Sequence, residues 1–491
     1  MQTTAAMPGV GVADDFDDFR DVRDKVGRAS PDAATEEGMP TPSAPSAGRV
    51  KNNYFDGLPV SKTHLAIFFI IMLAYFFEQV DNWNFGFIAP AMMQSGLGGL
   101  AALTQEHIAA ITFWYFIAMT AGGFMGGVIS DFIGRRRTFL IAMVTFSVAS
   151  IVTGYTDNLT VFIIARAMTG FGVFCLMVCS QAYIAEMAPA ESRGKWQGLI
   201  AAIGFLAVPA VALLCRVVIP LSPEAWRYIL YFGGAGLIGA LVGIRYLKES
   251  PRWLVSQNRR REAEAIVKEM TGRDIDLSEA AANIQPRTDV KEVLLGMFTK
   301  KYIRRTLVLL MVFICTTPAS FTVVVWTTNL LNLKGFSMNA TLTAMILISC
   351  GVPLGCFLAS RIADLGGRKV PLMGVCAGAA VSALVFANLE SYVGLIISGI
   401  LLNVFVMACF FILFTYTAES YPTRMRNTAT GFHNGVARLA VAAFQPLIPL
   451  ILHNFGPTGA FVSVCVLMAL PIPFVLFWGD RTSQRPLEDI S

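Results

Sequence analysis

Charge is scarce in this chain. Only 14% of its 491 residues are Asp, Glu, Lys or Arg, where a water-soluble domain carries about a quarter. Histidine is scarcer still, with four residues, and the nine cysteines are scattered singly through apolar segments. That distribution argues for small packing thiols and against a disulfide framework, a zinc site or a cofactor cradle. There is no glycine-rich phosphate loop ending in Lys, no metal-ligand cluster and no strained nucleophile elbow, so an enzyme and an ATP-driven pump are both disfavoured. No cofactor and no metal are expected. Residues 1–50 lack the basic stretch and apolar run of a signal peptide. The net charge of +5 is too small and too dispersed for a nucleic-acid partner.

What the chain has in excess is apolar length. It is 55% hydrophobic with a mean hydropathy of +0.59. A helix needs about 20 apolar residues to cross the hydrocarbon core. Twelve segments qualify, near 64–92, 107–130, 138–155, 159–186, 196–219, 227–247, 305–331, 338–360, 370–388, 392–417, 427–452 and 457–479. The expected class is an all-α membrane protein with the lipid bilayer as its permanent partner. Its domains read as a disordered cytoplasmic tail (1–60), a six-helix bundle (61–247), a middle loop (248–304), a second six-helix bundle (305–480) and a short C-terminal tail (481–491). Within the loop, Arg260 to Met270 has the pattern of an amphipathic helix, with Leu254, Ala263, Ile266 and Val267 on one side.

Lysine and arginine set the orientation. Arg135, Arg136, Arg137, Arg193, Lys195, Arg361, Arg368, Lys369, Arg424, Arg426 and the basic middle loop all fall on one side, while the opposite connections hold only Lys334 and, at their margin, Arg227. The basic side is read as cytoplasmic, with both termini inside.

The cytoplasmic connections also carry an internal repeat. Asp131, Gly134, Glu186, Pro189, Arg193 and Gly198 recur as Asp364, Gly367, Glu419, Pro422, Arg426 and Gly431, each 233 residues later. Two parallel halves of six helices explain such a repeat.

This combination resembles the major facilitator superfamily over about residues 60–480. Gly127-x-x-x-Asp131-x-x-Gly134-Arg135-Arg136 is similar to that family's signature loop between the second and third helices. Arg166-x-x-x-Gly170 resembles its fourth-helix motif, and Glu249-Ser250-Pro251-Arg252-Trp253-Leu254 the segment after the sixth helix in sugar porters and organic-ion transporters. The chain departs at Phe132 and Leu365, where the family commonly has Arg. Glu78-x-x-Asp81-x-x-x-x-Gly86-x-x-x-Pro90 and Gly435-x-x-Arg438-Leu439 are similar to motifs of aromatic-acid and metabolite proton symporters, with Glu78 in place of Asp. The resemblance implies the major facilitator fold, two pseudo-symmetric bundles alternating around a midplane site, working as a monomer in the plasma membrane, a bacterial inner membrane.

Ionisable residues inside a membrane are costly and mark function by default. Asp81 and Glu78 stand at i, i+3 on the first helix, where mutual repulsion and desolvation favour proton uptake. They are the candidates for proton coupling, with Arg166 joined to them by its resemblance to the family's fourth-helix motif. Arg438 lies near mid-depth in the eleventh helix. Its guanidinium stays charged and grips a carboxylate bidentately, so it is the candidate substrate anchor, with Asn434 one turn away. Trp326 and Tyr416 are candidate stacking residues. Asp131, Arg135, Arg136, Glu186 and Arg193, with Asp364, Arg368, Glu419 and Arg426, read as a gate that can pair across the two bundles.

The function expected from these features is proton-coupled uptake of a small organic acid. A sugar or polyol symporter, an exporter of amphipathic compounds and a transporter-like sensor are the alternatives.

Overall fold

The computed structural model describes residues 54–55, 60–97, 102–278, 290–363, 365 and 367–479. Most of the expected N-terminal tail, the C-terminal tail 481–491 and Asp364 of the gate lie outside the described residues.

The described chain is helical. The first bundle consists of α1 (Lys62–Ser95), α2 (Gln105–Ile133), α3 (Arg135–Tyr155), α4 (Leu159–Met187), α5 (Ala190–Val218) and a sixth span made of α6 (Trp226–Gly234) and α7 (Gly236–Tyr246). The second consists of α11 (Ile303–Leu333), an eighth span made of α12 (Met338–Ser349) and α13 (Gly351–Ile362), α14 (Lys369–Asn388), α15 (Tyr392–Glu419), α16 (Thr423–Phe444), α17 (Leu447–Ala469) and α18 (Pro471–Trp478). Between the bundles run α8 (Pro251–Ser256), α9 (Arg260–Thr271) and α10 (Val290–Met297).

Eleven of the twelve spans are long and apolar enough to cross a membrane. The exception is α16, which carries His433, Asn434 and Arg438. Its polarity disqualifies it as a lone apolar span, yet its place in the bundle makes it the eleventh. The last turn of the chain is legible in one residue. Gly456 interrupts α17 at φ 65°, ψ −170°, a conformation that side-chain-bearing residues avoid, and Pro457 starts the final span.

The two bundles are joined unequally at their two ends. At the arginine-poor end one continuous apolar cluster includes Phe85, Ile88 and Met92 of α1, Val208 and Val211 of α5, Val323 to Trp326 of α11, and Leu342 and Met345 of α12. At the arginine-rich end the apolar residues divide. One cluster is built by the first bundle with Val441 and Ala442 of α16, and another by the second bundle with α10. The first helices of the two bundles cross tightly at Gly86, where a Cβ would lie 2.2 Å from the Val324 carbonyl oxygen. Only glycine permits that approach.

The amphipathic helix of the middle segment forms as expected. Ala263, Val267 and Met270 of α9 are buried, and Val267 and Met270 join the apolar cluster of the first bundle. Trp253 of α8 donates its indole N–H to the Asp131 carbonyl at 2.9 Å. Tyr54 and Phe55 fall within the stretch read as a tail, but Phe55 is fully buried, edge-on to His64 at 4.9 Å.

Candidate functional site

The membrane-buried charges form two clusters of opposite character. The first surrounds Asp81, whose side chain faces its own bundle. Arg166 Nη1 donates to both carboxylate oxygens at 2.9 Å, and Nη2 donates to the Asp81 main-chain carbonyl at 2.8 Å. Ser150 Oγ adds a hydrogen bond at 3.2 Å and Asn84 Nδ2 a longer one at 3.5 Å. Arg166 also lies over the Tyr115 and Phe85 rings, at 4.5 and 5.4 Å. Asp81 is 0% exposed and Arg166 is 1% exposed, so the ion pair is sealed inside α1, α3 and α4. Asn82, Thr112, Tyr115 and Val325 line a narrow crevice that reaches Arg166 from the bundle interface.

The second cluster is unsatisfied. Arg438 is 3% exposed, and its Nε and Nη1 have no hydrogen-bond partner. Its guanidinium lies instead over two aromatic rings, Phe321 of α11 at 4.6 Å and Phe174 of α4 at 5.1 Å. Phe174 belongs to the first bundle, so this arginine sits at the seam between halves. Asn434, one turn earlier on α16, is buried as well. Glu78 is 1% exposed; one carboxylate oxygen accepts from Gln79 at 3.3 Å and the other has no partner.

The sequence places Glu78 and Asp81 on one face of one helix. The structure separates their environments: Asp81 is consumed by Arg166, and Glu78 keeps one carboxylate oxygen without a partner. The two stacking candidates are not brought to Arg438. Trp326 is fully buried in the apolar cluster at the arginine-poor end, its indole N–H donated to Gln445 Oε1 at 2.9 Å. Tyr416 is buried in the second bundle's own cluster, one turn before Glu419 at the arginine-rich end, with its hydroxyl toward Gly479. The rings at Arg438 are Phe174 and Phe321, which no motif distinguishes from packing residues. His433 is a packing residue, tied to the Ala429 and Thr306 carbonyls.

At the arginine-rich end the pairing differs from the expected cross-bundle latch. Arg135 bonds Asp131 at 2.8 Å and Glu186 at 3.0 Å, and Arg368 bonds Glu419 at 2.7 Å, each inside its own bundle. The reason is local. Arg135 opens α3 and Glu186 closes the neighbouring α4, and the second half repeats the arrangement with Arg368 and Glu419 beside α14 and α15. Glu186 and Glu419 therefore take these partners instead of Arg193 and Arg426. Arg193 has only a 3.5 Å contact to the Ala188 carbonyl, and Arg426 keeps two guanidinium nitrogens unpartnered. Arg136 donates to the Ile244 carbonyl at 2.6 Å.

One gate residue was visible only as part of a motif. Glu249 Oε1 accepts from the backbone amides of Arg135 at 2.7 Å, Arg136 at 3.1 Å and Ser250 at 3.0 Å. It supplies the N-terminal cap that Gly134 cannot give α3. Gly134 is held at φ 99°, and a Cβ there would meet the Glu249 carboxylate at 2.3 Å. Burial pushes the Glu249 carboxyl above its ordinary range, against the pull of these three amides.

The comparisons with known proteins agree with this architecture. The Major Facilitator Superfamily matches residues 71–446. The chain is 29% identical to the putative metabolite transport protein YyaJ of Bacillus subtilis over 440 residues, covering 89% of this chain and 96% of that protein. It is 23% identical to the niacin transporter NiaP of Acinetobacter baylyi, covering 89% and 98%. Among solved structures, the xylose transporter XylE from E. coli superposes with a TM-score of 0.71 at 18% identity, over 86% of this chain and 99% of that one. With a family match across most of the chain and twelve spans in two bundles, the protein belongs to the Major Facilitator Superfamily and is a membrane transporter of metabolites, not an enzyme.

Proposed function

We propose that this transporter imports a small organic acid, most simply an aromatic one, together with a proton. The observation that carries this reading is the unpartnered guanidinium of Arg438. A buried cation without hydrogen bonds is costly, and a carboxylate completes it bidentately. The flanking Phe174 and Phe321 rings offer flat apolar faces to the rest of such a substrate. Niacin, the substrate named for one relative, is a pyridine carboxylic acid and belongs to this class.

The proton is assigned to Asp81. In the ion-paired state Asp81 and Arg166 bind α1 to α4. Protonation removes the charge that holds Arg166 and loosens that link. Gly86, five residues along α1, is where the two bundles cross, so a shift of α1 alters the seam between them. Closure at the arginine-poor end, with divided clusters at the other, is then one of two alternating states. With the basic end in the cytoplasm of a bacterial inner membrane and both termini inside, this state faces inward. The within-bundle pairs Arg135–Glu186 and Arg368–Glu419 leave Arg193 and Arg426 free to bind across the bundles in the opposite state. A monomer holds the whole site.

A sugar or polyol substrate is the second reading. It is favoured by three neutral polar groups with unpartnered atoms at the arginine-poor end: Thr328 Oγ1, Asn329 Nδ2 and Gln445 Nε2.

The deciding experiment records external pH in weakly buffered, de-energised cells expressing the protein. An alkaline pulse with an aromatic acid, lost in Asp81→Asn and in Arg438→Gln, is expected. A pulse with xylose or a polyol, and none with acids, would replace this reading with the second. Asp81→Asn cells that still accumulate the acid uphill would remove Asp81 as the proton carrier.

A further inference from the structure

We propose that Ser150 and Asn84 form a reversible hydrogen-bond shell around the Asp81 carboxyl, donating to it when it is ionised and accepting from it when it is protonated. The proton then sits on Oδ1, and Oδ2 stays with Arg166. The proposal rests on the assignment of the coupled proton to Asp81 above. It names the residues that let a sealed carboxyl take up a proton and give it back.

The two oxygens of the carboxyl have different surroundings. Ser150 Oγ and Asn84 Nδ2 both reach Oδ1, at 3.2 and 3.5 Å. Oδ2 accepts from Arg166 Nη1 at 2.9 Å and, among the described residues, from no other side chain. Ser150 and Asn84 are fully buried, like Asp81 itself. α6 closes over them because position 233 is glycine: a Cβ there would lie 2.9 Å from Ser150 Oγ and 3.6 Å from Asp81 Oδ1.

A carboxylate only accepts hydrogen bonds, and its protonated form must also donate one. A pocket of fixed donors suits the first form and strands the second. Neither neutral neighbour here is a fixed donor. The Ser150 hydroxyl has a single hydrogen and lies within reach of two acceptors, Asp81 Oδ1 and the Leu230 carbonyl of α6 at 2.9 Å. With Asp81 ionised, that hydrogen goes to Oδ1. With Asp81 protonated, it turns to Leu230, and Ser150 Oγ accepts the new O–H. Asn84 holds a second acceptor in reserve. Its Oδ1 is buried with no hydrogen-bond partner, and turning the amide over brings that oxygen to Asp81 in place of Nδ2. The step adds a proton to Asp81 Oδ1, and every other hydrogen stays on the residue that carried it.

The groups around this shell permit the change. Among the described residues, Arg166 is the charged group that acts on the carboxyl. After protonation it keeps Oδ2, the main-chain carbonyl of Asp81 at 2.8 Å and the Tyr115 ring at 4.5 Å, so its hold is weakened but it is not stranded. Tyr115 of α2 spends its hydroxyl on Asn82 at 3.0 Å. Glu78, one turn earlier on α1, accepts from Gln79. Ser150 and Asn84 are therefore positioning residues for the proton, acting through Asp81.

The test records infrared difference spectra of the full-length protein in lipid vesicles between alkaline and acid pH. The C=O stretch of a protonated carboxyl rises in frequency when its hydrogen bonds are lost. A band that appears on acidification and is absent in Asp81→Asn is expected. Ser150→Ala should move that band up, and adding Asn84→Leu should move it further. Ser150→Thr, which keeps the hydroxyl, should hold it at its original place. A residue that merely packs against Asp81 would leave the band unmoved. An Asp81 band that stays in place in Ser150→Ala and in the double variant overturns the reversible shell and leaves Asp81 as the proton carrier. If the double variant does not fold, Ser150→Ala against Ser150→Thr decides alone, and equal bands overturn the shell. The absence of any band that Asp81→Asn removes sinks the proton assignment and the shell together.

Discussion

Two arginines lie deep in this membrane protein, and they live under opposite conditions. Arg166 makes hydrogen bonds to both carboxylate oxygens and the carbonyl of Asp81, while Arg438 makes none through its Nε or Nη1. Neither is duplicated by the internal repeat. At the 233-residue offset Arg166 corresponds to Gly399, and Arg438 to Phe205. The halves share their helix-end motifs but not their buried charges. A closed pair stabilises one state of the protein and can be broken by a proton. An open guanidinium waits for something the chain itself does not supply. Burial and residue type are the same in the two cases, and only the inventory of partners separates them.

The comparison is broken most severely at Arg166. Arg166→Met leaves Asp81 ionised and sealed from water, which costs about 3–5 kcal/mol of stability. Adding Asp81→Asn removes the stranded charge and should restore most of the loss. Arg438→Met should change stability far less, because no hydrogen bond is lost and the contacts over Phe174 and Phe321, about 1–2 kcal/mol, are offset by removal of an unsatisfied cation. Unfolding midpoints of the four proteins in one detergent check this. Equal losses for Arg166→Met and Arg438→Met would erase the distinction between a closed pair and an open receptor.

A smaller effect is expected at the arginine-rich end. Glu249→Ala strips the acceptor from the first amides of α3, a change comparable to losing an N-cap, about 1 kcal/mol. Glu249→Gln keeps one carbonyl oxygen there and should recover part of it. No change in the unfolding midpoint for Glu249→Ala would mean that water caps α3 equally well.

How much of this was readable beforehand follows from where each signal resides. Spans, their pairing into halves and the α9 amphipath are properties of local composition, so the twelve segments and the Arg260–Met270 helix emerge directly from the residues. The buried charges were equally conspicuous, since Glu78, Asp81, Arg166 and Arg438 interrupt apolar runs. Their partners were not. The choice of Arg166 for Asp81, with Arg438 left alone, depends on helix rotation about axes that one sequence does not fix. The same blindness misplaced Tyr416 and Trp326, because an aromatic residue has the same appearance in a core and in a binding wall. It also read the gate charges as pairing across the bundles, when the helix ends of α3 and α4 bring Arg135 to Glu186 within one.

The smallest effect tests whether the unequal joining of the bundles is held by a polar contact as well as by packing. Arg216 donates from Nε to Thr343 Oγ1 at 2.9 Å, joining α5 of the first bundle to α12 of the second. The contact is exposed, so it is worth at most about 1 kcal/mol, and removing it shifts a two-state balance by about five-fold or less. Thr328, fully buried on α11 in the closed end, reports opening there. A cysteine introduced by Thr328→Cys should react with a membrane-impermeant maleimide about two- to five-fold faster when Arg216→Ala is added. Arg216→Lys, which keeps a donor but loses the planar fork, should fall between them. An unchanged labelling rate would leave the apolar cluster and the Gly86 crossing as sufficient to close that end, with Arg216 a bystander.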